Sequence, residues 1–192
     1  MAAYDEALAQ VVIGDLQPLN APIDIRDYDS TWPQLYAREA DRIRQILGDR
    51  VVRLEHIGST SVPGLPAKPI IDLVQEVRDS ADESAYVPAL EAAGYVLRIR
   101  EPEWFEHRLF KGRDTNINLH TFSAGCPETD RMLLFRDWLR SNATDRDHYA
   151  ATKRELARRD WKYVQQYADA KSDVVAEIMR RATAGESDRE GS

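Results

Sequence analysis

The sequence predicts an α+β fold with a C-terminal helical layer, and three observations carry that reading. Short apolar runs with period-two alternation occupy the middle of the chain, runs with helical spacing are interleaved with them, and from Glu128 onward only helical patterns remain. With 192 residues there is room for one well-buried core. Residues 23–183 are therefore expected to form a single domain, preceded by a weakly patterned N-terminal arm, 1–22, that Pro18 and Pro22 close.

The elements follow in order. IDIRDYDSTWPQLYAREADRIRQILGD starts extended and continues as a helix, with Ser30 or Thr31 as N-cap, Pro33 in the first turn, Leu35, Ala40, Ile43, Ile46 and Leu47 at helical spacing, and Gly48 as the stop. VVRLEHIG alternates as a strand with Val52, Leu54 and His56 on one face. PIIDLVQEV is a second strand, with Ile70, Asp72 and Val74 sharing a face. YVPALEAAG reads as a helix ended by Gly94, and YVLRIRE as a third strand. HRLFKGRDTNINLHTF reads as a hairpin. With Gly112–Thr115 as its loop, Lys111 faces Asn116, Leu109 faces Asn118 and His107 faces His120, with Cβ atoms about 5 Å apart. That spacing suits a shared metal ion or a hydrogen-bonded pair. Three helices then follow: ETDRMLLFRDWLRSN, ATDRDHYAATKRELARR and WKYVQQYADAKSDVVAEIMRRATA. The tail, 184–192, has nothing to bury and is expected to be disordered.

Composition excludes several classes. A net charge of −7 and a pI near 5.2 argue against a general nucleic-acid binder, whose affinity comes from clustered Lys and Arg. No apolar run approaches the roughly 20 residues of a membrane span, and the N-terminus carries acids where a signal peptide carries basic residues. Cys126 is the only cysteine, so no disulfide can form within the chain, and a cytoplasmic location is expected. Lysine is scarce: Lys68, Lys111, Lys153, Lys162 and Lys171 are the only five.

The stretch HIGSTSVPGLPAKPIID concentrates the chemistry. A strand that runs into Gly58, Ser59, Thr60 and Ser61 lets backbone N–H groups and a hydroxyl approach a phosphate with no Cβ in the way, although the same composition also makes an ordinary turn. It is not a P-loop, because Gly64 is followed by Leu65, Pro66 and Ala67 rather than by Lys-Ser/Thr. Asp72, flanked by Ile70, Ile71, Leu73 and Val74, is costly to bury without a partner, which could be a metal ion, backbone donors, Lys68 or an arginine. A hydrolytic triad of Ser59 or Ser61 with His120 and Asp72 lacks the Gly-x-Ser-x-Gly elbow.

EHIGSTSVPGLPAKPIIDLV, HRLFKG, NLHTF, LLFRDWLR and YAATKRELA together resemble the GrpB-like family of the nucleotidyltransferase superfamily, over about Tyr28 to Ala182. The resemblance implies the polymerase-beta-like fold, a mixed sheet flanked by helices. It also implies transfer of a nucleoside monophosphate, with Gly58 and Ser59 at the triphosphate turn and Asp72 as the first carboxylate of a metal-binding pair. Val74 stands where the second carboxylate belongs, and the later strand offers Asn118 and His120 instead of a third acid. The candidate roles are these. Asp72 and His120 are catalytic; Gly58, Ser59, Thr60, Ser61, Lys68 and Arg108 hold phosphate; Asp72, His107 and His120 hold a divalent ion, Mg²⁺ or Mn²⁺ ahead of Zn²⁺; His56 and Asn118 complete the pocket. The expected function is a nucleotidyltransferase-like enzyme acting on a small molecule or nucleotide, with no membrane or general nucleic-acid partner. The alternatives are a binding module that has lost the chemistry, or a structural protein.

Overall fold

A computed structural model describes the backbone of residues 2–190 and the side chains of residues 4–185. In chain order the elements are α1 (Ala2–Val11), α2 (Trp32–Leu47), β1 (Val51–Ile57), β2 (Ile71–Val77), α3 (Val87–Ala92), β3 (Val96–Glu101), β4 (His107–Lys111), β5 (Ile117–Ser123), α4 (Pro127–Ser141), α5 (Ala143–Leu156), α6 (Val164–Asp169) and α7 (Ser172–Glu190). The five strands form one mixed sheet in the order β1-β2-β5-β4-β3, parallel only between β2 and β5. The fold is α+β, as expected.

Alternation along β2 divides the molecule. Ile71, Leu73 and Val77 point to the face covered by α2 and α3, where they join Ile43, Leu47, Leu54, Leu90, Phe110 and Leu119 in the main core. Leu73 and Leu119 are fully enclosed, so truncating either to Ala costs about 2–5 kcal/mol. Val74, with Ile57 opposite Asp72 on β1, points to the other face, where Ile57, Val74 and Phe122 pack beneath Leu133 of α4. Between this second face and helices α4 to α7 lies the candidate site.

Three expectations are corrected. The β4–β5 hairpin pairs Lys111 with Asn118 and Leu109 with His120, a slip of two residues from the expected register. A slip of two keeps every side chain on its face. The connection is longer than expected, six residues from Gly112 to Ile117 between the paired Lys111 and Asn118, and it packs tightly on itself: a Cβ on Gly112 would run into the Thr115 carbonyl and the Ile117 side chain. The helix expected to start at Trp161 and run on without a break is two helices, α6 and α7, separated at Ala170–Lys171. Finally, α7 continues to Glu190 through most of the segment expected to be disordered, while Gly191 and Ser192 lie outside the described residues.

The N-terminal arm is tied across the sheet edge. Val12 bridges to Ile99, the Ile13 N–H donates to the Arg98 carbonyl (2.8 Å), and the Leu19 N–H donates to the Lys162 carbonyl (2.8 Å). No helix among the described residues is long and apolar enough to cross a membrane.

Candidate functional site: a lysine cavity around Asp72

Strand β1 ends at Ile57, and Gly58 takes a left-handed backbone with φ +66°. The turn is held internally: the Ser61 N–H and hydroxyl both bond to the Gly58 carbonyl, the hydroxyl at 2.6 Å, and Thr60 donates to the Ile70 carbonyl at 3.2 Å. A Cβ on Gly58 would run into the Asp72 carboxylate, so the turn and the carboxylate are packed as one unit. Of the three hydroxyls, that of Ser59 is held from across the cavity, accepting a hydrogen bond from the Lys153 ammonium at 2.8 Å.

The cavity, about 370 Å³, is lined by Gly58, Ser59, Thr60, Lys68, Asp72, Asn118 and His120, together with Lys153, Tyr167 and Lys171 from the C-terminal helices. Its one carboxylate is Asp72, which accepts a hydrogen bond from the Asn118 amide at 2.6 Å. Asn118 in turn accepts from the Lys111 ammonium. Lys68, Lys111, Lys153 and Lys171 all feel the charge of Asp72. Four of the five lysines of the chain thus converge on one carboxylate. Their close contacts are otherwise neutral: Lys153 donates to Ser59 and to the Pro66 carbonyl (2.5 Å) over the ring of Tyr149, and Lys68 and Lys171 lie 5.3 and 4.7 Å from the ring centre of Tyr167. The fifth lysine, Lys162, is paired with Asp5 at 2.5 Å.

Burial moves every one of these groups towards neutrality. Burial, then Lys171 and Arg154, brings Lys153 down to about 6. Burial also lowers Lys68, Lys111 and Lys171 and raises Asp72, the last against the pull of Asn118 and three lysines.

A hydrogen-bonded chain reaches the same cavity from the sheet edge. His107 Nδ1 lies 2.7 Å from Glu101, and His107 Nε2 lies 3.0 Å from His120 Nδ1. With the Glu101 carboxylate accepting from Nδ1–H, the chain fixes both tautomers and leaves His120 Nε2 as an acceptor. Burial, with His107 and Lys111 nearby, holds His120 neutral, well below the usual imidazole range.

Not every expected residue is here. Arg108 alternates to the opposite face of β4, where it bonds Glu83 (2.6 Å) and Glu106. His56 alternates away from Ile57, stacks on Tyr36 with ring centres 4.6 Å apart, and bonds Thr60 at 3.0 Å. Ser61 is spent on the turn. His107 uses both ring nitrogens on Glu101 and His120. Among the described residues no three His, Cys, Asp or Glu side chains are grouped to hold a metal ion, and the single carboxylate is already surrounded by ammonium groups. Lys153 and Lys171 were missed by sequence reasoning. Their signal was the rarity of lysine beside 21 arginines, 26 basic residues less five lysines.

The fold and cavity define an α+β protein with a lysine-lined cavity beneath a helical layer. The GrpB protein family model matches residues 22–181, and the chain belongs to the GrpB family. It is 62% identical to a UPF0157 protein of Halalkalibacterium halodurans over 180 residues, 94% of this chain and 92% of that one. A UPF0157 protein of Streptomyces coelicolor is 45% identical over 173 residues, 90% of each chain. A dephospho-CoA kinase of Mycobacterium tuberculosis is 31% identical over 196 residues, 86% of this chain but 47% of that protein. The crystal structure of the conserved protein GrpB from Enterococcus faecalis superposes with a TM-score of 0.73 at 27% identity, covering 85% of this chain and 99% of that one.

Proposed function

We propose that this chain binds a phosphorylated small molecule in the lysine cavity, on a nucleotidyltransferase-like scaffold, and does so without a divalent metal ion. The observation that carries the reading is that Lys68, Lys153 and Lys171 line the cavity with Asp72 and the Ser59 turn, while Lys111 reaches Asp72 through Asn118. Burial beside a single carboxylate pushes these lysines below their ordinary range, Lys153 to about 6, and two or three phosphate charges would hold them protonated. The volume, about 370 Å³, falls at the small end of the range for small-molecule sites. Lysines here take the place that dications occupy in metal-dependent phosphoryl chemistry.

The test is a thermal-shift panel of inorganic phosphate, tripolyphosphate and nucleoside triphosphates, run in chelator and again in Mg²⁺, on wild type and Lys171→Met. A ligand at a hundred times its dissociation constant adds about 2.7 kcal/mol, a rise of several degrees for a domain of this size. The expected result is a rise in chelator, weaker at high salt and reduced in Lys171→Met. No rise with any phosphate, or a rise only with Mg²⁺, refutes the reading.

A second reading, transfer of a group to or from the bound ligand, is favoured by the Glu101–His107–His120 chain. It gives His120 Nε2 the position and neutrality of a general base. His120→Gln should then keep phosphate binding and lose turnover.

A further inference from the structure

A second cavity of about 540 Å³ adjoins the lysine cavity and shares Lys68, Ile70, Leu109, Asn118, Val164 and Gln165 with it. Its character is different. Most of its exposed lining is apolar, from Leu8, Val12, Leu16 and Leu19 of the N-terminal arm with Ile99, while Asp15, Asp24, Arg98 and Lys111 also line it. The arm meets the sheet edge through the Val12–Ile99 bridge and the Ile13–Arg98 backbone bond, and further along Leu19 and Ile23 pack with Leu156 and Tyr167 of the C-terminal helices. Tyr4 bonds Asp169 of α6 (2.5 Å) and Asp5 pairs with Lys162, so the arm is clamped from α6 while the space beneath it stays open.

Resting on the phosphate-binding reading above, we infer that the ligand is amphipathic: its phosphate occupies the lysine cavity and an apolar arm, such as an alkyl or acyl chain, lies in the groove under the N-terminal segment. The two cavities meet at Lys68 and Asn118, so one molecule can enter both with its charge at the cationic end and its apolar end against Leu16 and Ile99. A ligand that is charged throughout fits less well, because most of the groove's exposed lining is apolar and its charged groups, Asp15, Asp24, Arg98 and Lys111, are of both signs. A purely apolar ligand leaves the lysines unsatisfied.

The experiment is titration calorimetry with a series of n-alkyl phosphates from ethyl to octyl, each below its micelle concentration, and with the matched alcohols. Wild type and Leu16→Asp are compared. Leu16 lies outside any helix or strand and is part-exposed, so the substitution spares the fold, and tripolyphosphate binding by the variant checks this. The expected result is an affinity that rises with each methylene, by up to about fourfold per CH₂ buried. That rise is lost in Leu16→Asp while tripolyphosphate still binds, and the alcohols bind weakly. A flat wild-type series in which every phosphate binds equally overturns the inference and leaves the lysine-cavity reading standing. Alcohols that bind as tightly as the phosphates, or a chain-length dependence unchanged in Leu16→Asp, also overturn it. No binding of any phosphate removes both readings.

Discussion

Replacing Asp72 with Asn separates a lysine-held anion site from a metal-held one. The substitution keeps the shape of the side chain and an acceptor for the Asn118 amide, which lies 2.6 Å from the carboxylate, and removes one negative charge from a ring of four lysines. Two effects follow. The free protein loses the anion that all four lysines feel, so it unfolds at lower temperature. The bound ligand loses a repelling neighbour. At about 5–7 Å, and with an effective dielectric constant of about 20, one unit of ligand charge is repelled by about 2–3 kcal/mol. Burial raises the pKa of Asp72 and so keeps part of that charge neutral in the wild type. The expected gain in affinity for tripolyphosphate is therefore about tenfold or more, measured by calorimetry in chelator and accompanied by a larger ligand-induced thermal shift than in wild type. In a metal-held site the same change removes the first carboxylate ligand and weakens binding. A metal-dependent affinity that falls in Asp72→Asn refutes the reasoning outright.

Three further outcomes are expected. Lys153 titrates at about 6 in the fold, against an ordinary lysine value near 10.5 when unfolded. The unfolded chain therefore holds one more proton between those limits, and the ligand-free protein gains stability as pH rises through that window, by up to about 1.4 kcal/mol per pH unit from this group. Denaturant titrations at pH 6.5 and 8.5 should show this gain shrinking in Lys153→Met, and equal pH slopes in the two proteins would contradict it. Phosphate binding at pH 8 should recharge Lys153 and take up close to one proton, seen as a binding enthalpy that changes with the ionisation enthalpy of the buffer. Gly58→Ala should cost about 1–3 kcal/mol and abolish phosphate binding, since it forces an L residue to φ +66° and pushes a methyl group into Asp72; a variant with wild-type stability and affinity would show the turn to be dispensable.

Much of the fold was legible because it is local. The alternation of Leu54 and His56, and of Asp72 and Val74, gave the strands and placed partners on each face before any pairing was known. The β4–β5 register came out two residues off, yet His107 and His120 still meet, because side-chain direction has period two and a slip of two preserves it. The same alternation excludes Arg108 and His56 from the site. It could have been applied to Arg108 against Leu109, but not to His56, since which face of β1 lies beside Asp72 depends on the antiparallel register with β2.

By itself the sequence determined the α+β class, the turn at Gly58 to Ser61 and, at Asp72, a carboxylate in an apolar strand that needs a partner or a cleft, all properties of residues within a few positions of one another. Only the tertiary structure decided what surrounds that carboxylate. Lys68, Lys111, Lys153 and Lys171 come from a turn, a strand, a helix and the break between two helices, separated by tens of residues. Their convergence depends on the C-terminal helices folding back over the sheet, and no local spacing encodes that. Burial then couples them, because charges enclosed together in a low dielectric interact far more strongly than the same charges spread over a wet surface.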